Sequence, residues 1–130
     1  MNIKNTKFKG VTILLPVIDE NKSLKKTLRI VLRDKLNDVK KIIIILDKNK
    51  SLKSSIGMAK LLSNKNNKIS IYFQKKPKLG GAFIDSMKLI KTSHSIIMSS
   101  DLETDPYTVK KMILLSKKYP RHIIQASRWN

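Results

Sequence analysis

Short apolar runs alternate along the chain with longer segments in which apolar residues recur every three or four positions. The runs are rich in β-branched residues and predict strands, whereas the longer spacing predicts helices. In chain order the predicted elements are a strand at 11–15, a helix at 21–32, a strand at 41–46, a helix at 51–63, a strand at 69–73, a helix at 81–91, a strand at 95–98, a helix at 107–119 and a strand at 122–126. This strict alternation predicts an α/β fold, with a mostly parallel, Rossmann-like sheet flanked by helices.

The second predicted strand contains the longest apolar run, 42–46, whose continuous isoleucines indicate burial on both faces of the sheet. This run is far too short to cross a bilayer. Residues 1–9 are polar and basic and lack the apolar segment of a signal peptide. The sequence therefore predicts a cytoplasmic protein.

Composition excludes several classes of site. The chain has 130 residues, enough for one domain with a hydrophobic core, and 41% of them are hydrophobic. It has no cysteine, which excludes a disulfide scaffold, a cysteine-ligated zinc finger and a thiol nucleophile. With only two histidines, His94 and His122, an imidazole-rich metal site is not expected.

The formal net charge of +19 is large for this length. One interpretation is attraction to an anionic partner: nucleic acid, nucleotide phosphates or an anionic membrane surface. The other is compositional drift, because lysine, asparagine and isoleucine are all abundant and lysine is spread along the whole chain. Aromatic residues make up only 5% of the chain and no base-stacking motif is present, so nucleic acid is not the expected partner.

Ligands of open parallel sheets bind outside the carboxyl ends of the strands. Every predicted strand is followed there by ionisable side chains, in the segments 16–20, 47–51, 75–82, 101–105 and 127–128. Each segment also has a purely structural interpretation, as a helix start, a tight glycine turn or solvated surface charge. Their position at five successive strand ends favours a binding site for a phosphate compound held with a metal ion.

The most informative of these segments follows the apolar run 96–98. Three carboxylates, Asp101, Glu103 and Asp105, are spaced two apart, and Pro106 then opens the next predicted helix. Carboxylates crowded at a strand end repel one another unless a cation lies between them, and Mg²⁺ and Mn²⁺ prefer such oxygen ligands. The alternative is an acidic helix start, in which these groups complement the helix dipole.

Five segments, taken in order, resemble the family 2 glycosyltransferases, which have the GT-A fold. Residues 11–20 resemble the family's first strand followed by Pro-Val/Thr-Tyr-Asn-Glu, and residues 42–47 resemble the strand that ends in Asp-Asp-Gly-Ser. Residues 76–82 are similar to the Arg-Pro, Lys, Leu-Gly and Ala pattern of the mannose synthases. Residues 98–103 are similar to Met-Asp-Ala-Asp-Leu-Gln, and residues 126–129 to Gly-Ser-Arg-Tyr. The chain is most similar to the polyprenyl-phosphate glycosyltransferases of the dolichyl-phosphate mannose synthase type.

The resemblance implies a role for each matching residue. The residues implied to bind the nucleotide sugar are Pro16, Val17, Asp19, Glu20, Asp47, Lys78, Gly80, Ser100 and Arg128. Asp47 would contact the nucleobase and Arg128 a phosphate. Asp101 and Glu103 would hold Mg²⁺ or Mn²⁺ on the diphosphate, where a cation stabilises the leaving group. No catalytic base is identified.

The sequence departs from the family pattern at several positions. Ser99 stands where the first metal-site Asp is expected, and Lys48 replaces the second Asp of the base-binding pair. Glu103 supplies a charge where the mannose synthases have Gln. The chain also ends at Asn130, whereas the family's acceptor-binding part follows that point. Residues 1–130 are therefore expected to form a single GT-A-like nucleotide-sugar-binding domain that lacks the acceptor part.

The expected function is transfer of a sugar from a GDP- or UDP-linked donor to an acceptor such as a polyprenyl phosphate. A lipid-linked acceptor would bring the protein to the cytoplasmic face of the membrane, and a second chain would complete the acceptor site. Two alternatives stay open. One is a truncated or degenerate relative that binds nucleotide without turnover, and the other is a basic nucleic-acid-binding α/β domain.

Overall fold

The computed structural model describes residues 7–33, 37–99 and 105–124 of the chain. In order, its elements are β1 (Val11–Val17), α1 (Lys22–Arg33), β2 (Val39–Leu46), α2 (Lys53–Lys65), β3 (Ile69–Phe73), α3 (Lys78–Met87), β4 (His94–Ile97) and α4 (Thr108–Lys118). The four strands form one parallel sheet in the order β3-β2-β1-β4. The predicted α/β class, with a parallel Rossmann-like sheet flanked by helices, is confirmed.

The two middle strands form the centre of the molecule. The pairing of β1 with β2 is continuous from Thr12 opposite Lys41 to Val17 opposite Leu46. The run of isoleucines in β2 is buried throughout, as its uninterrupted apolar pattern predicted. Because side chains alternate between the two faces of a strand, this run supplies apolar surface to both layers of helices.

The helices cover the two faces of the sheet unequally. One face packs against α1, α2 and α4, through apolar side chains that include Leu24, Leu28, Ala59, Val109 and Ile113. The other face packs against α3, with Leu14, Ile43, Ile45, Ala82 and Phe83 in the smaller cluster. Three helices therefore cover one face and a single helix the other, within the described part of the chain. None of the described helices is long and apolar enough to span a membrane.

Pro16 lies inside β1, so the predicted end of that strand at residue 15 was too early. It is opposite Ile45 of β2. On the other side of β1, the pairing with β4 extends only to Leu14, whose carbonyl accepts a hydrogen bond from the amide of Met98. Backbone groups two residues apart on a strand point toward the same neighbour, so the nitrogen of Pro16 faces the end of β4. A proline that donates no hydrogen bond is tolerated there.

The predicted third helix, 81–91, is displaced in the structure, because α3 begins at Lys78 and ends at Met87. The predicted fifth strand, 122–126, is wrong for residues 122–124, which are irregular. The amide of His122 donates to the carbonyl of Tyr119, which closes a turn after α4. Ile123 is 97% exposed, so no sheet face is available to its side chain. Residues 125 and 126 lie outside the described residues.

Replacing Ile44 with Ala tests the central position of β2. Ile44 is 0% exposed and packs between the sheet and the helices of the larger cluster. The substitution removes buried methyl groups and leaves a cavity, so it should lower the free energy of unfolding by about 2–5 kcal/mol. Urea unfolding followed by circular dichroism measures this change.

Ile123→Ala is the matched control, since it makes the same substitution outside the sheet. The free energy of unfolding should change by no more than about 0.5 kcal/mol, as for other exposed positions. A loss of stability as large as that of Ile44→Ala would contradict this account, because it would show that Ile123 is packed as the predicted fifth strand requires.

Candidate functional site

The loops that leave the strands meet at one edge of the sheet, which we call the carboxyl edge. It consists of the segments 18–20, 47–51, 74–77 and 98–99, which follow β1 to β4. The described candidate residues at or beside it are Pro16, Val17, Asp19, Glu20, Asp47, Lys78 and Gly80. The candidates that lie outside the described residues are Ser100, Asp101, Glu103 and Arg128.

The Ser51 hydroxyl joins the loops after β1 and β2. It donates to the Val17 carbonyl over 2.6 Å and accepts from the Asp47 amide over 2.9 Å. The Leu52 amide donates to the Ile18 carbonyl, 2.7 Å away. Ser51 is buried, so these bonds are shielded from water. The two loops are therefore held against each other at the ends of β1 and β2.

Asn21 adds a second connection between the same loops. Its side-chain oxygen accepts from the Ser55 hydroxyl over 2.8 Å, and its side-chain nitrogen donates to the Ser54 hydroxyl over 3.0 Å. The residue just before α1 is thus bound to the first turn of α2. This contact fixes the start of α1 relative to α2.

The carboxylate of Asp47 orders its own turn. Its Oδ1 accepts hydrogen bonds from the amides of Asn49 and Lys50, at 2.9 and 3.1 Å. The Ser51 amide donates to the Asp47 carbonyl, which closes the same turn. Asp47 therefore orders the turn that precedes α2 and does not cap the helix, whose N-cap position is Leu52. A contact between Asp47 and a nucleobase stays a prediction. Such a contact would use the other carboxylate oxygen, Oδ2.

Glu20 acts in the same way after β1. Its Oε2 accepts from the amides of Ile18 and Asp19, at 2.8 and 3.1 Å. The carboxylate thereby holds a tight turn, on which Asp19 is exposed. Asp19 and Asp47 are both placed on loops that the Ser51 contacts bring side by side.

The loop after β3 is held by Asp85 of α3, which is only 5% exposed. Its Oδ2 accepts from the amides of Lys75 and Lys76, at 2.7 and 2.8 Å. The hydrogen bond from the Lys76 amide is the main cause that lowers the pKa of this carboxyl, and burial opposes it. The bond from the Lys75 amide and the charges of Lys76 and Lys88 lower the pKa further. The charged form therefore stabilises the loop at neutral pH, and this contribution is lost only when acid protonates Asp85 below its usual pKa of 3.8.

Gln74 and Lys78 shape the entry to α3. The side-chain nitrogen of Gln74 donates to the carbonyls of Lys76 and Lys78, at 2.8 and 2.9 Å. Lys78 has a φ of 64°, in the left-handed region that costs a non-glycine residue about 1–2 kcal/mol. The bonds from Gln74 help hold this conformation at the start of α3, where Lys78 is exposed.

The two glycines at the start of α3 have different roles. A Cβ atom on Gly81 would lie 2.5 Å from both the carbonyl carbon and the carbonyl oxygen of Lys76. A Cβ atom on Gly80 would meet nothing within 4 Å. Gly81 is therefore required by the close approach of α3 to the loop before it, whereas Gly80 leaves open space above the first turn of the helix.

The structure also assigns a local role to Asp105. Its Oδ1 accepts from the amide of Tyr107 over 2.9 Å, and its carbonyl accepts from the amide and the hydroxyl of Thr108. Asp105 thus orders the start of α4, as the acidic-helix-start interpretation predicted for this position. Among the described residues, no group of three or more His, Asp or Glu side chains is arranged to hold a metal ion. The predicted ligands Asp101 and Glu103 lie outside those residues and stay predictions.

Four residues that organise the carboxyl edge were missed at the sequence level: Ser51, Gln74, Gly81 and Asp85. Asp85 was missed because the apolar spacing of Phe83, Met87 and Ile90 places it on the opposite side of the predicted helix, whereas in the structure Asp85 is on the buried side of α3. Ser51 lies in the loop that follows the second strand, but the sequence gives no local signal for its bonds to Val17 and Asp47. Gln74 and Gly81 depend on the approach of two segments and carry no such local signal.

Gly81→Ala and Gly80→Ala form a matched pair that tests the close approach of α3. The methyl group at position 81 would overlap the Lys76 backbone, so Gly81→Ala should lower the free energy of unfolding by about 1–3 kcal/mol. At position 80 the methyl group meets no atom and alanine favours the helix, so stability should rise by about 0.5–1 kcal/mol. Urea unfolding of both variants gives the values. Equal effects at the two positions would contradict the packing described here.

One family model, described as glycosyl transferase family 2, matches residues 12–130. The match covers nearly the whole chain and, apart from Val11 at the start of β1, all four strands of the sheet. A comparison with curated proteins finds no match to this chain.

Proposed function

Because the chain belongs to glycosyl transferase family 2, we propose that it binds a GDP- or UDP-linked sugar at the carboxyl edge and transfers the sugar to an acceptor. Membership of the family implies a nucleotide-sugar donor and an acceptor. The observation that carries the proposal is the joining of the loops after β1 and β2 by Ser51. This joint presents Asp19 and Asp47 on adjacent loops where ligands of parallel sheets bind.

The nucleoside part of the donor contacts the loops after β1 and β2. Both loops are fixed before a ligand arrives, because Glu20 and Asp47 each accept two backbone hydrogen bonds. A preformed site loses less conformational entropy on binding. In this arrangement Pro16 forms the apolar base of the site and Asp47 contacts the nucleobase, while Val17, which is fully buried in the core, contributes through its backbone.

The diphosphate lies at the start of α3. The first amides of a helix carry a partial positive charge and favour anions. Lys75, Lys76 and Lys78 are all exposed there and add positive charge. The open space above Gly80 allows a phosphate to approach the backbone closely. Ser100 and Arg128 complete the phosphate contacts in this proposal.

Asp101 and Glu103 hold Mg²⁺ or Mn²⁺ in the proposed site. Two carboxylates that follow a buried strand are oxygen donors of the kind that these cations prefer. A divalent cation neutralises the negative charge that grows on the departing nucleotide diphosphate. Ser99 occupies the position of an Asp in the family pattern, whereas Glu103 supplies a carboxylate where the mannose synthases have Gln, so the carboxylates of this segment are shifted along the chain rather than reduced in number.

The acceptor is a polyprenyl phosphate in the finer form of the proposal, by similarity to the dolichyl-phosphate mannose synthase type. The protein then works as a peripheral protein at the cytoplasmic membrane face, with a second chain or a further segment completing the acceptor site. The serine at position 99 favours one other candidate: a relative that binds the nucleotide sugar without turnover.

Asp101→Asn tests the proposed metal site. Isothermal titration with UDP- and GDP-linked sugars, with and without Mn²⁺, measures the metal-dependent part of the affinity. The substitution keeps the size of the side chain but removes its charge, so that part should fall by about tenfold or more. Formation of free nucleotide diphosphate in the same samples separates turnover from simple binding.

Asp105→Asn is the matched control, because an amide oxygen can still accept the Tyr107 amide. It should leave the metal-dependent affinity unchanged. Undiminished affinity in the Asp101→Asn protein would refute the metal role of Asp101. The proposed donor site as a whole fails if neither nucleotide sugar binds to the folded wild-type chain.

A further inference from the structure

The face of the sheet that carries α3 is only partly covered. A ten-residue helix such as α3 is about 15 Å long, whereas the eight residues of β2 span about 26 Å. The chain leaves α3 through a turn at Leu89 and Ile90 and returns to the sheet as β4. The amino-terminal part of this face is therefore left open among the described elements.

A groove of about 940 Å³ occupies this open part of the sheet. Ile43, Tyr72 and Leu89 supply its apolar surface, and Thr12 and Ser70 add hydroxyl groups from the neighbouring strands. Its volume lies in the range of pockets that enclose small molecules, which are mostly apolar with a few polar groups.

Within the described part of the chain, the charged groups that line the groove all have the same sign. They are the ammonium groups of Lys7, Lys9, Lys40, Lys41 and Lys91. No Asp or Glu of residues 7–33, 37–99 and 105–124 lines the groove. The carboxylate of Asp38, which precedes β2 at this end, pairs with Lys117 at 2.8 Å. Like charges that surround a partly enclosed space raise its positive potential and attract an anion.

The backbone around the groove is fixed by hydrogen bonds and close packing. Thr92 donates its hydroxyl hydrogen to the His94 carbonyl over 2.7 Å, so Thr12 is the donor in its own 2.7 Å bond to Thr92. These bonds tie the start of β1 to the segment before β4. The Lys40 side chain packs closely against Gly10, which has a φ of 147°. A Cβ atom at position 10 would be only 2.9 Å from the Lys40 Cγ. The groove is thus a formed feature of the fold.

We propose that this groove binds a small phosphate ester that also carries an apolar or aromatic group. The lysines bind the phosphate and the surface formed by Ile43, Tyr72 and Leu89 receives the other part. A concave site of this size fits a single small molecule better than a flat membrane or a nucleic-acid backbone. The groove is at the amino ends of the strands, so it is separate from the carboxyl edge and its ligand cannot be the sugar donor bound there.

Titration calorimetry with three probes at low ionic strength tests the proposal. AMP represents a soluble nucleoside phosphate, dihexanoyl phosphatidic acid below its micelle concentration represents a lipid phosphate, and inorganic phosphate represents the bare anion. At least one of the two esters should bind, and more tightly than inorganic phosphate. The tighter ester identifies the source of the ligand. Failure of both esters, or equal binding of inorganic phosphate, overturns the proposal.

The paired substitution Lys41→Ala and Lys91→Ala shows whether the ester binds in the groove. Both side chains are exposed, so the protein should fold normally, and affinity for the ester should fall by about tenfold or more. The matched control is Lys26→Ala with Lys60→Ala, which removes the same charge from the helices on the other face and should change affinity less than about twofold. Equal losses in the two proteins would mean that net charge alone attracts the ester, and would overturn the proposal.

The same variants separate this proposal from the donor site. The Lys41/Lys91 protein should retain the affinity of the wild-type chain for the nucleotide sugar. If the nucleotide sugar does not bind to either protein, the proposed function fails while the groove proposal is still decided by the esters.

Discussion

The parallel pairing of β1 with β2 is the constraint on which the rest of this structure depends. Its register places Val17 opposite Leu46, so both strands end at the same level and their loops begin side by side. Ser51 then needs only a short hydroxyl to reach the Val17 carbonyl and the Asp47 amide. A different register would separate these groups, because each residue of slip moves the strand by about 3.3 Å.

The two faces and the two ends of the sheet have different roles. Three of the described helices bury one face, which supplies most of the apolar core. On the other face, the one helix among the described elements starts at the carboxyl edge, where Gly81 allows it to approach the Lys76 backbone, and is too short to cover the whole face. The same helix therefore helps to form the proposed donor site at one end and leaves the lysine-lined groove open at the other.

The fold could be predicted from the sequence because its signals are local and repeated. The isoleucine run of β2 and the helical spacing of Leu24 and Leu28 indicate their elements without knowledge of any partner. The fifth strand was predicted because Ile123 and Ile124 are apolar and β-branched. The prediction fails at residues 122–124 because the turn at Tyr119 leaves Ile123 in solvent. Local preference does not show whether a sheet face is available to receive a side chain.

The candidate site was predictable in position but not in its contacts. Strand ends could be found in the sequence, so Asp19, Glu20 and Asp47 were placed on the correct edge. The sequence could not show that Glu20 and Asp47 each use one oxygen to hold a turn, since that depends on backbone amides brought close by folding. Gly80 and Gly81 are adjacent and identical, and only the position of Lys76 distinguishes them.

Paramagnetic broadening by Mn²⁺ tests the central claim, that the donor binds at the carboxyl edge, most directly. An amide NMR spectrum of the chain is recorded with a UDP- or GDP-linked sugar, before and after Mn²⁺ is added. The account predicts that signals of Ile18, Asn49 and Lys76 broaden, while those of Lys9, Lys40 and Lys91 at the opposite end stay sharp. Broadening centred on the amino ends of the strands, or none at all with the nucleotide sugar bound, would contradict it.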